Sequence, residues 1–357
     1  MWTEPQGPGV VVGGTGALAA LGAHVPDTWR DTRGLMVVDA AVADRADSVA
    51  APLERAGMAV GRLVLAGGES VKRWGAIEQI VAAALAHGVR RDGWLAAVGG
   101  GAVTDAVGFA AAVYLRGVPW LAVPTTLLGQ VDAAIGGKTA IDLAAGKNLV
   151  GAFHPPHLVL ADPGWLDTLP PREWRSGLGE VVKAALLLGG EPWQRAAALP
   201  APPEGRPELA SLAEAAAQFK VRVVAGDPEE RQADGGRSLL NLGHTLGHAV
   251  EAAAGMGPMA HGEAVGIGLL AACFLSERLL GLDPAVGAAL ARVLERWGMP
   301  TRARGLDEAA VRAFLAKDKK ATSHELSWVL LAAPGRAVRS AVPAALVDEA
   351  LARTLGG

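Results

Sequence analysis

In the first 170 positions, apolar residues come as short runs set between longer stretches of helical period. Gly9-Val-Val-Val-Gly13, Leu35-Met-Val-Val-Asp39 and Arg62-Leu-Val-Leu-Ala66 are too short for helices and predict buried strands. From Ser70 to His87 the apolar positions recur near helical period and predict a helix. Trp94-Leu-Ala-Ala-Val98 predicts a strand, Gly99-Gly100-Gly101 a tight turn, Val103 to Tyr114 a helix, and Trp120-Leu-Ala-Val123 a strand ended by Pro124. Strands alternating with helices imply a mostly parallel, doubly wound, Rossmann-like α/β sheet. Such sheets bind phosphate-bearing ligands at the carboxyl ends of their strands.

After Leu169-Pro170-Pro171 strand-like runs become scarce and alanine-rich helical patterns take over. Helices are predicted over Trp174–Leu188, Pro207–Val224, Leu239–Ala254, His261–Leu280, Pro284–Trp297 and Leu306–Ala316. Leu326-Ser-Trp-Val-Leu-Leu331 fits a strand, with a helix also open, and proline-rich Glu191–Gly205 predicts an exposed connection. The pattern therefore gives two domains: an α/β domain over 1–170 and a mostly helical domain over 171–357, with a ligand cleft expected between them.

Composition narrows the class. Hydrophobic residues make up 51% of the 357, much of it alanine, yet the longest apolar stretch, Ala264–Leu275, is too short to span a membrane. The N-terminus lacks the order of a signal peptide. A single cysteine, Cys273, excludes an internal disulfide, fits a reducing cytoplasm and reads as a buried small hydrophobe. A net charge of −3 argues against a nucleic-acid footprint.

The histidines are the densest chemistry. His244 and His248 share one helix face, and His261 follows a Gly/Pro-rich break. Clustered imidazoles suit a divalent transition metal, zinc by default, although such pairs also simply cap or pack. Glu180, in Gly179-Glu180-Val-Val-Lys183, is the best candidate for a carboxylate ligand. Its ordinary explanation is an exposed ion pair with Lys183, three residues on.

Other motifs are weaker alone. Gly99–Gly101, running into Asp105, lets a pyrophosphate approach a helix N-terminus, but such a turn can also be purely structural. Thr125 and Thr126 end the next strand and offer hydroxyls, or merely cap a helix. The stretch from Gln130 and Asp132 through Gly136-Gly137-Lys138-Thr139 to Gly146-Lys147-Asn148 reads as a polar, glycine-broken loop region. Its lysines suit an anionic, polyhydroxylated ligand; solvated surface lysines are the plain alternative.

Taken in order, these blocks resemble one family over about Gly34 to Leu331. They are Gly99–Asp105, Tyr114-Leu-Arg116-Gly117, Pro124–Leu128, Asp132, Gly136–Thr139, Gly146–Asn148, Gly179–Lys183, Leu240–His248, His261–Val265 and Asp318-Lys319-Lys320. The chain is similar to 3-dehydroquinate synthase, of the sugar phosphate cyclases. The resemblance implies NAD at Asp39, Glu69, Lys72, Gly99, Gly100, Gly101, Asp105, Thr125, Thr126, Lys147 and Thr168. It implies zinc or cobalt on Glu180, His244 and His261. Substrate contacts would come from Arg116, Asp132, Lys138, Asn148, Lys183, Lys220, Arg237, Asn241 and Lys319, and proton transfer from His248 and Glu230.

The implied reaction takes the seven-carbon sugar acid phosphate DAHP (3-deoxy-D-arabino-heptulosonate 7-phosphate) to 3-dehydroquinate. Transient oxidation of an alcohol acidifies the neighbouring C–H, phosphate is eliminated, the ketone is reduced again, and an aldol step closes the ring. NAD is regenerated each turnover. The resemblance also implies a cytoplasmic homodimer of the shikimate pathway. The pattern departs from the family at Asp39-Ala40-Ala41, where Asp-x-Asn is usual, and in a longer loop over 227–236. An amino-dehydroquinate synthase, a glycerol-dehydrogenase-like enzyme and a non-catalytic binding protein are the rival readings. Arg237, Asn241 and Lys319-Lys320 favour a substrate with a carboxylate.

Overall fold

A computed structural model describes residues 1–144, 146–232, 235–255, 259–321 and 327–356, with backbone alone for 317–321 and 327. The chain forms two compact units, Met1–Leu169 and Pro170–Gly357.

The strands of the first unit are β1 (Trp2–Gln6), β2 (Gly9–Gly13), β3 (Arg33–Asp39), β4 (Ala59–Leu65), β5 (Trp94–Gly99), β6 (Trp120–Pro124), β7 (Lys138–Leu143), β8 (Gly146–Phe153) and β9 (Leu158–Ala161). Its helices are α1 (Leu21–His24), α2 (Asp47–Arg55), α3 (Trp74–Ala86) and α4 (Gly101–Val113). A seven-stranded sheet runs in the order β1-β2-β9-β6-β5-β3-β4. Only the β1–β2 pair is antiparallel; the rest pair in parallel. From β3 the chain passes outward to β4, then returns to β5 on the other side. That reversal makes the carboxyl ends of β3 and β5 a switch point, where ligands bind in open α/β sheets.

The central strands read as continuous apolar runs because both faces are covered. Met36, Val38, Ala96, Val98, Leu121 and Leu160 enter one cluster with Leu21, Val49 and Leu53. Their neighbours Leu35, Val37, Leu95, Ala97 and Ala122 are equally buried on the opposite face, where α3 and α4 pack. Helix α3 starts at Trp74 rather than Ser70, because residues 69–71 form a separate 3₁₀ turn. Exposed Gly75 in its first turn has nothing within 4 Å of a built Cβ. Gly75→Ala should therefore stabilise the fold by ~0.4–1 kcal/mol; a lower melting temperature would count against this account of α3.

Two readings are corrected here. Lys138-Thr139 and Gly146-Lys147-Asn148, expected as loop, lie in an antiparallel hairpin of β7 and β8. Pairing satisfies the backbone there although β8 is largely exposed. Glu191–Gly205, expected as an exposed connection, opens with a helix over Gly190–Ala198. Pro192 lies in its first turn, where a missing N–H costs nothing.

The second unit contains α5 (Pro171–Leu188), α6 (Gly190–Ala198), α7 (Arg206–Gly226), α8 (His244–Ala254), α9 (His261–Leu280), α10 (Pro284–Arg296), α11 (Glu308–Ala321), the hairpin β10 (Ser327–Ala333) and β11 (Arg336–Ala341), and α12 (Ala344–Leu355). The helix expected from Leu239 begins only at His244, after a 3₁₀ turn over Gly236–Asn241. Helix α9 is the axis of the unit. Its Ala264, Ile267, Ala271 and Leu275 pack with Leu246 and Val250 of α8, Val311 of α11 and Leu330 of β10. Ser276 donates to the Ala272 carbonyl and accepts from the Leu331 N–H, joining α9 to the hairpin. Buried Cys273 has its thiol pushed up to about 12 by burial, so it stays an inert hydrophobe. Among the described residues, no helix is long and apolar enough to cross a membrane.

Candidate active site

Glycine decides how closely the helices of the second unit approach. Gly179 of α5 and Gly262 of α9 lie against each other, and a Cβ on Gly179 would come within 2.7 Å of the Gly262 Cα. A Cβ on Gly262 would overlap the Ser176 carbonyl oxygen and lie 2.6 Å from its carbon. Gly268 of α9 meets the Gly243 carbonyl, and Gly247 of α8 meets the backbone of Ala264 and Val265. Each glycine at these crossings except Gly268 adjoins a chemical residue: Glu180, His261, His244 or His248. Backbone contact is thus what brings these side chains together. Glu263 adds to it, accepting from the Ala260 N–H at 3.0 Å and from Arg175 of α5 at 3.1 Å.

The result is a cluster of Glu180, His244 and His261 whose ligand atoms all lie within 4.8 Å of one another. His244 Nε2 and His261 Nε2 stand 3.3 and 3.4 Å from Glu180 Oε1. That oxygen is buried and, among the described residues, has no hydrogen-bond donor. Two donors ~2.1 Å from one tetrahedral ion stand ~3.4 Å apart, which is the spacing found. One carboxylate and two imidazoles leave coordination positions open, as catalytic sites do. The donor set therefore fits a divalent ion of the zinc or cobalt class.

Glu180 Oε2 is paired with Lys183 of the same helix. The pair is not the exposed one that sequence alone makes ordinary: the side chains are 2% and 4% exposed. Burial would raise the Glu180 carboxyl, but Lys183, and then His244 and His261, hold it well below the usual range. Burial lowers His261, yet the adjacent Glu180 carboxylate and the hydrogen-bonded Glu251 outweigh this and lift it to about 10 in the metal-free protein. The His248 ring packs at 5.0 Å from that of His244 and 6.0 Å from that of His261. Desolvation and those two rings lower His248 from the ordinary imidazole range, although the residue is exposed.

A second group gathers on the 227–241 segment. Buried Asp227 accepts from the N–H groups of Arg231 and Arg237, which hold its carboxyl below the usual range against desolvation. Arg237, itself buried, donates to the Pro228 carbonyl, and Asn241 donates to Glu230 Oε1 at 2.9 Å. Glu230 is held at φ 55°, in the left-handed region. Lys220 lies partly buried on α7. The Lys319 side chain lies outside the described residues.

In the first unit, the switch point is built from Asp39 at the end of β3, Gly99–Gly101 after β5, and Thr125 and Thr126 after β6. The Thr125 N–H donates to the Gly99 carbonyl, and no side chain caps the N-terminus of α4. A Cβ on Gly100 would come 3.1 Å from the Thr126 methyl, so glycine keeps this cradle wide. Uncapped N–H groups at a helix start suit a pyrophosphate. Beside them Lys72, 5% exposed, donates to Asp105 at 2.6 Å and to Asn148 Oδ1 at 2.5 Å. Lys147 and Glu69 pair at 3.7 Å.

Asn148, like Arg116, is held at positive φ. Buried Asp142 fixes the former by accepting its N–H at 2.8 Å. Sequence reasoning passed over Asp142, Asp227 and Glu251. The signal available for each was an acidic residue where its neighbours are apolar or set for a turn. Arg116 and Lys138 are exposed, Asp132 is partly buried, and Thr168 is exposed on the Pro163–Thr168 turn that follows β9.

Comparison with known proteins places this geometry. Residues 62–176 match the 3-dehydroquinate synthase N-terminal family model, and residues 177–321 match the 3-dehydroquinate synthase C-terminal model. A curated 3-dehydroquinate synthase of Rhodospirillum rubrum is 44% identical over 339 residues, covering 91% of this chain and 86% of its own. The crystal structure of 2-deoxy-scyllo-inosose synthase complexed with carbaglucose-6-phosphate, NAD+ and Co2+ superposes with a TM-score of 0.85 at 26% identity, covering 99% of this chain and 100% of that one. The 2-epi-5-epi-valiolone synthase of Streptomyces hygroscopicus subsp. jinggangensis, with NAD+ and Zn2+ bound, superposes at 0.84 with 30% identity, covering 98% of each chain. By family models and curated kinship alike, this chain belongs to the 3-dehydroquinate synthase family.

Proposed function

We propose that the chain is a phosphate-eliminating carbon–oxygen lyase that converts DAHP to 3-dehydroquinate and phosphate, with NAD and one zinc or cobalt ion as resident groups. The observation that carries this is the convergence of Glu180 Oε1 with the Nε2 atoms of His244 and His261. The relatives support it: two structural neighbours hold NAD+ with Co2+ or Zn2+. Identity of 44% to a 3-dehydroquinate synthase favours this carbocycle over those of the neighbours.

When bound, NAD supplies reversible hydride acceptance and the divalent ion polarises the oxygen being oxidised. The chain's own residues do the rest. Gly99–Gly101 and the start of α4 would hold the pyrophosphate, with Asp39, Glu69, Lys72, Asp105, Thr125, Thr126, Lys147 and Thr168 as the further NAD contacts. Lys183 holds Oε2 of Glu180 and so leaves Oε1 for the ion. Arg116, Lys138, Lys220, Arg237 and Lys319 would bind phosphate and carboxylate, while Asp132, Asn148 and Asn241 would orient hydroxyls. His248, neutral at physiological pH, and Glu230 are the proposed proton carriers. The reading carries with it a cytoplasmic homodimer of the shikimate pathway, and light-scattering mass tests the dimer.

Asp105 supplies a pH test. Burial raises its carboxyl to about 6, with Lys72 opposing. Above that pH it is an anionic acceptor for ribose hydroxyls; below it the charge is lost. For the ligand-free fold the sign is opposite: a raised carboxyl adds stability below its unfolded value of 3.8, lost as pH rises through about 6. NAD binding, measured by calorimetry, should weaken several-fold from pH 7.5 to 5.5, and Asp105→Asn should flatten that dependence. A wild-type affinity indifferent to pH across this range removes Asp105 from the NAD contacts.

The activity itself is tested by incubating the protein with DAHP, NAD and zinc while following phosphate and NADH absorbance together. Phosphate without net NADH is expected. Stoichiometric NADH would mark a dehydrogenase, and neither product a binding protein.

A further inference from the structure

Helix α8 presents His244, His248 and Glu251 at i, i+4 and i+7, a single stripe on one face. The last of these reaches the first residue of α9: His261 Nδ1 lies 3.0 Å from Glu251 Oε2. His244 is held in a parallel way, its Nδ1 3.1 Å from the Leu242 carbonyl oxygen. With an ion on the Nε2 side, a neutral ring keeps its one proton on Nδ1, where a carboxylate or carbonyl accepts it. In both histidines Nδ1 is thus the N–H, and Nε2 is turned toward Glu180 Oε1. The two acceptors differ in charge: His244 has a neutral backbone carbonyl, His261 an anion whose side chain is 14% exposed.

We propose that Glu251 is a positioning residue for the divalent ion, fixing the His261 ring with Nε2 toward Glu180 and making that nitrogen the stronger donor of the pair. The inference rests on the metal reading above. An acceptor behind a ligating imidazole fixes its tautomer, and loss of such a partner typically weakens metal binding ~10–100-fold. The helix packing does not need this carboxylate. Contacts of Gly243, Gly247 and Gly268, with the apolar cluster around Ile267, already hold α8 against α9.

The test compares wild type, Glu251→Ala, Glu251→Gln and Glu180→Gln as full-length chains stripped of metal. Zinc affinity is measured by competition with a chromophoric chelator, the visible spectrum with added Co2+, and melting without metal. Glu251→Ala is expected to bind zinc ~10–100-fold more weakly with a perturbed cobalt spectrum and near-unchanged metal-free melting. Glu251→Gln should recover part of the affinity, since its amide oxygen still accepts from Nδ1. Wild-type zinc affinity in Glu251→Ala overturns the proposal. So does a loss that Gln does not relieve and that tracks lowered metal-free melting, because Glu251 would then act only on the fold. If wild type and Glu180→Gln bind zinc alike, the metal site itself is wrong, and that result is separate from any behaviour of Glu251.

Discussion

His261→Ala is expected to leave the purified protein without its stoichiometric divalent ion and to cut phosphate release from DAHP by ~10³-fold or more. Polarisation of a substrate oxygen by a metal contributes several kcal/mol to the transition state, and ~4 kcal/mol is about three decades of rate. With His261 gone, Glu180 and His244 supply two donors where catalytic zinc needs three. The fold should tolerate the change, since His261 begins α9 and its side chain is 26% exposed. Elemental analysis and the phosphate assay check it together. Unchanged metal content with an unchanged rate would remove His261 from the site.

Gly262→Ala is expected to be as damaging without touching a ligand. The added methyl would overlap the Ser176 carbonyl oxygen, with the Arg175 carbonyl oxygen at 2.9 Å. All three nearest atoms belong to backbone, so relief requires α5 and α9 to separate. Overpacking of this kind costs ~1–3 kcal/mol or more, and each kcal/mol lowers melting by ~2–4 °C in a unit of this size. Separation also pulls Glu180 from His261, so zinc affinity should fall with stability. Gly75→Ala, with open space around its Cβ, is the matched control. Wild-type melting and zinc affinity in Gly262→Ala would show that helix contact does not set the donor spacing.

These two changes also show what was legible in the sequence. Buried parallel strands announce themselves, because both faces are apolar and the run is short; β2, β3, β5 and β6 were readable for that reason. The β7–β8 hairpin was not, since most of β8 is exposed and the glycines at its ends look like loop. Helix α6 was hidden by proline, whose tolerance in a first turn depends on a helix start that sequence does not mark. The strand β9 has four residues after Pro155-Pro156, too little for a pattern to show.

The site divides in the same way. The His244–His248 spacing was visible, but only one of that pair is in the candidate donor set. The structure joins His244 to Glu180 and His261, and sets His248 beside them. The sequence could name Glu180 with His244 and His261 as a candidate set, and the family resemblance implied the same three, but their approach is made by glycines between segments 64 positions apart. Gly179 and Gly262 read as helix weakeners in isolation. Their value lies in a contact between segments far apart in sequence, which no local pattern encodes. Glu251 was passed over likewise: an acid on a helix face reads as solvated until His261 is placed against it.

The central claim is that one cation belongs between Glu180, His244 and His261. Anomalous diffraction at the zinc edge, from crystals grown with zinc, addresses it directly. The account predicts a single strong peak ~2.0–2.2 Å from Glu180 Oε1 and from both Nε2 atoms. A zinc peak elsewhere on the chain, with those three atoms left bare, would contradict it.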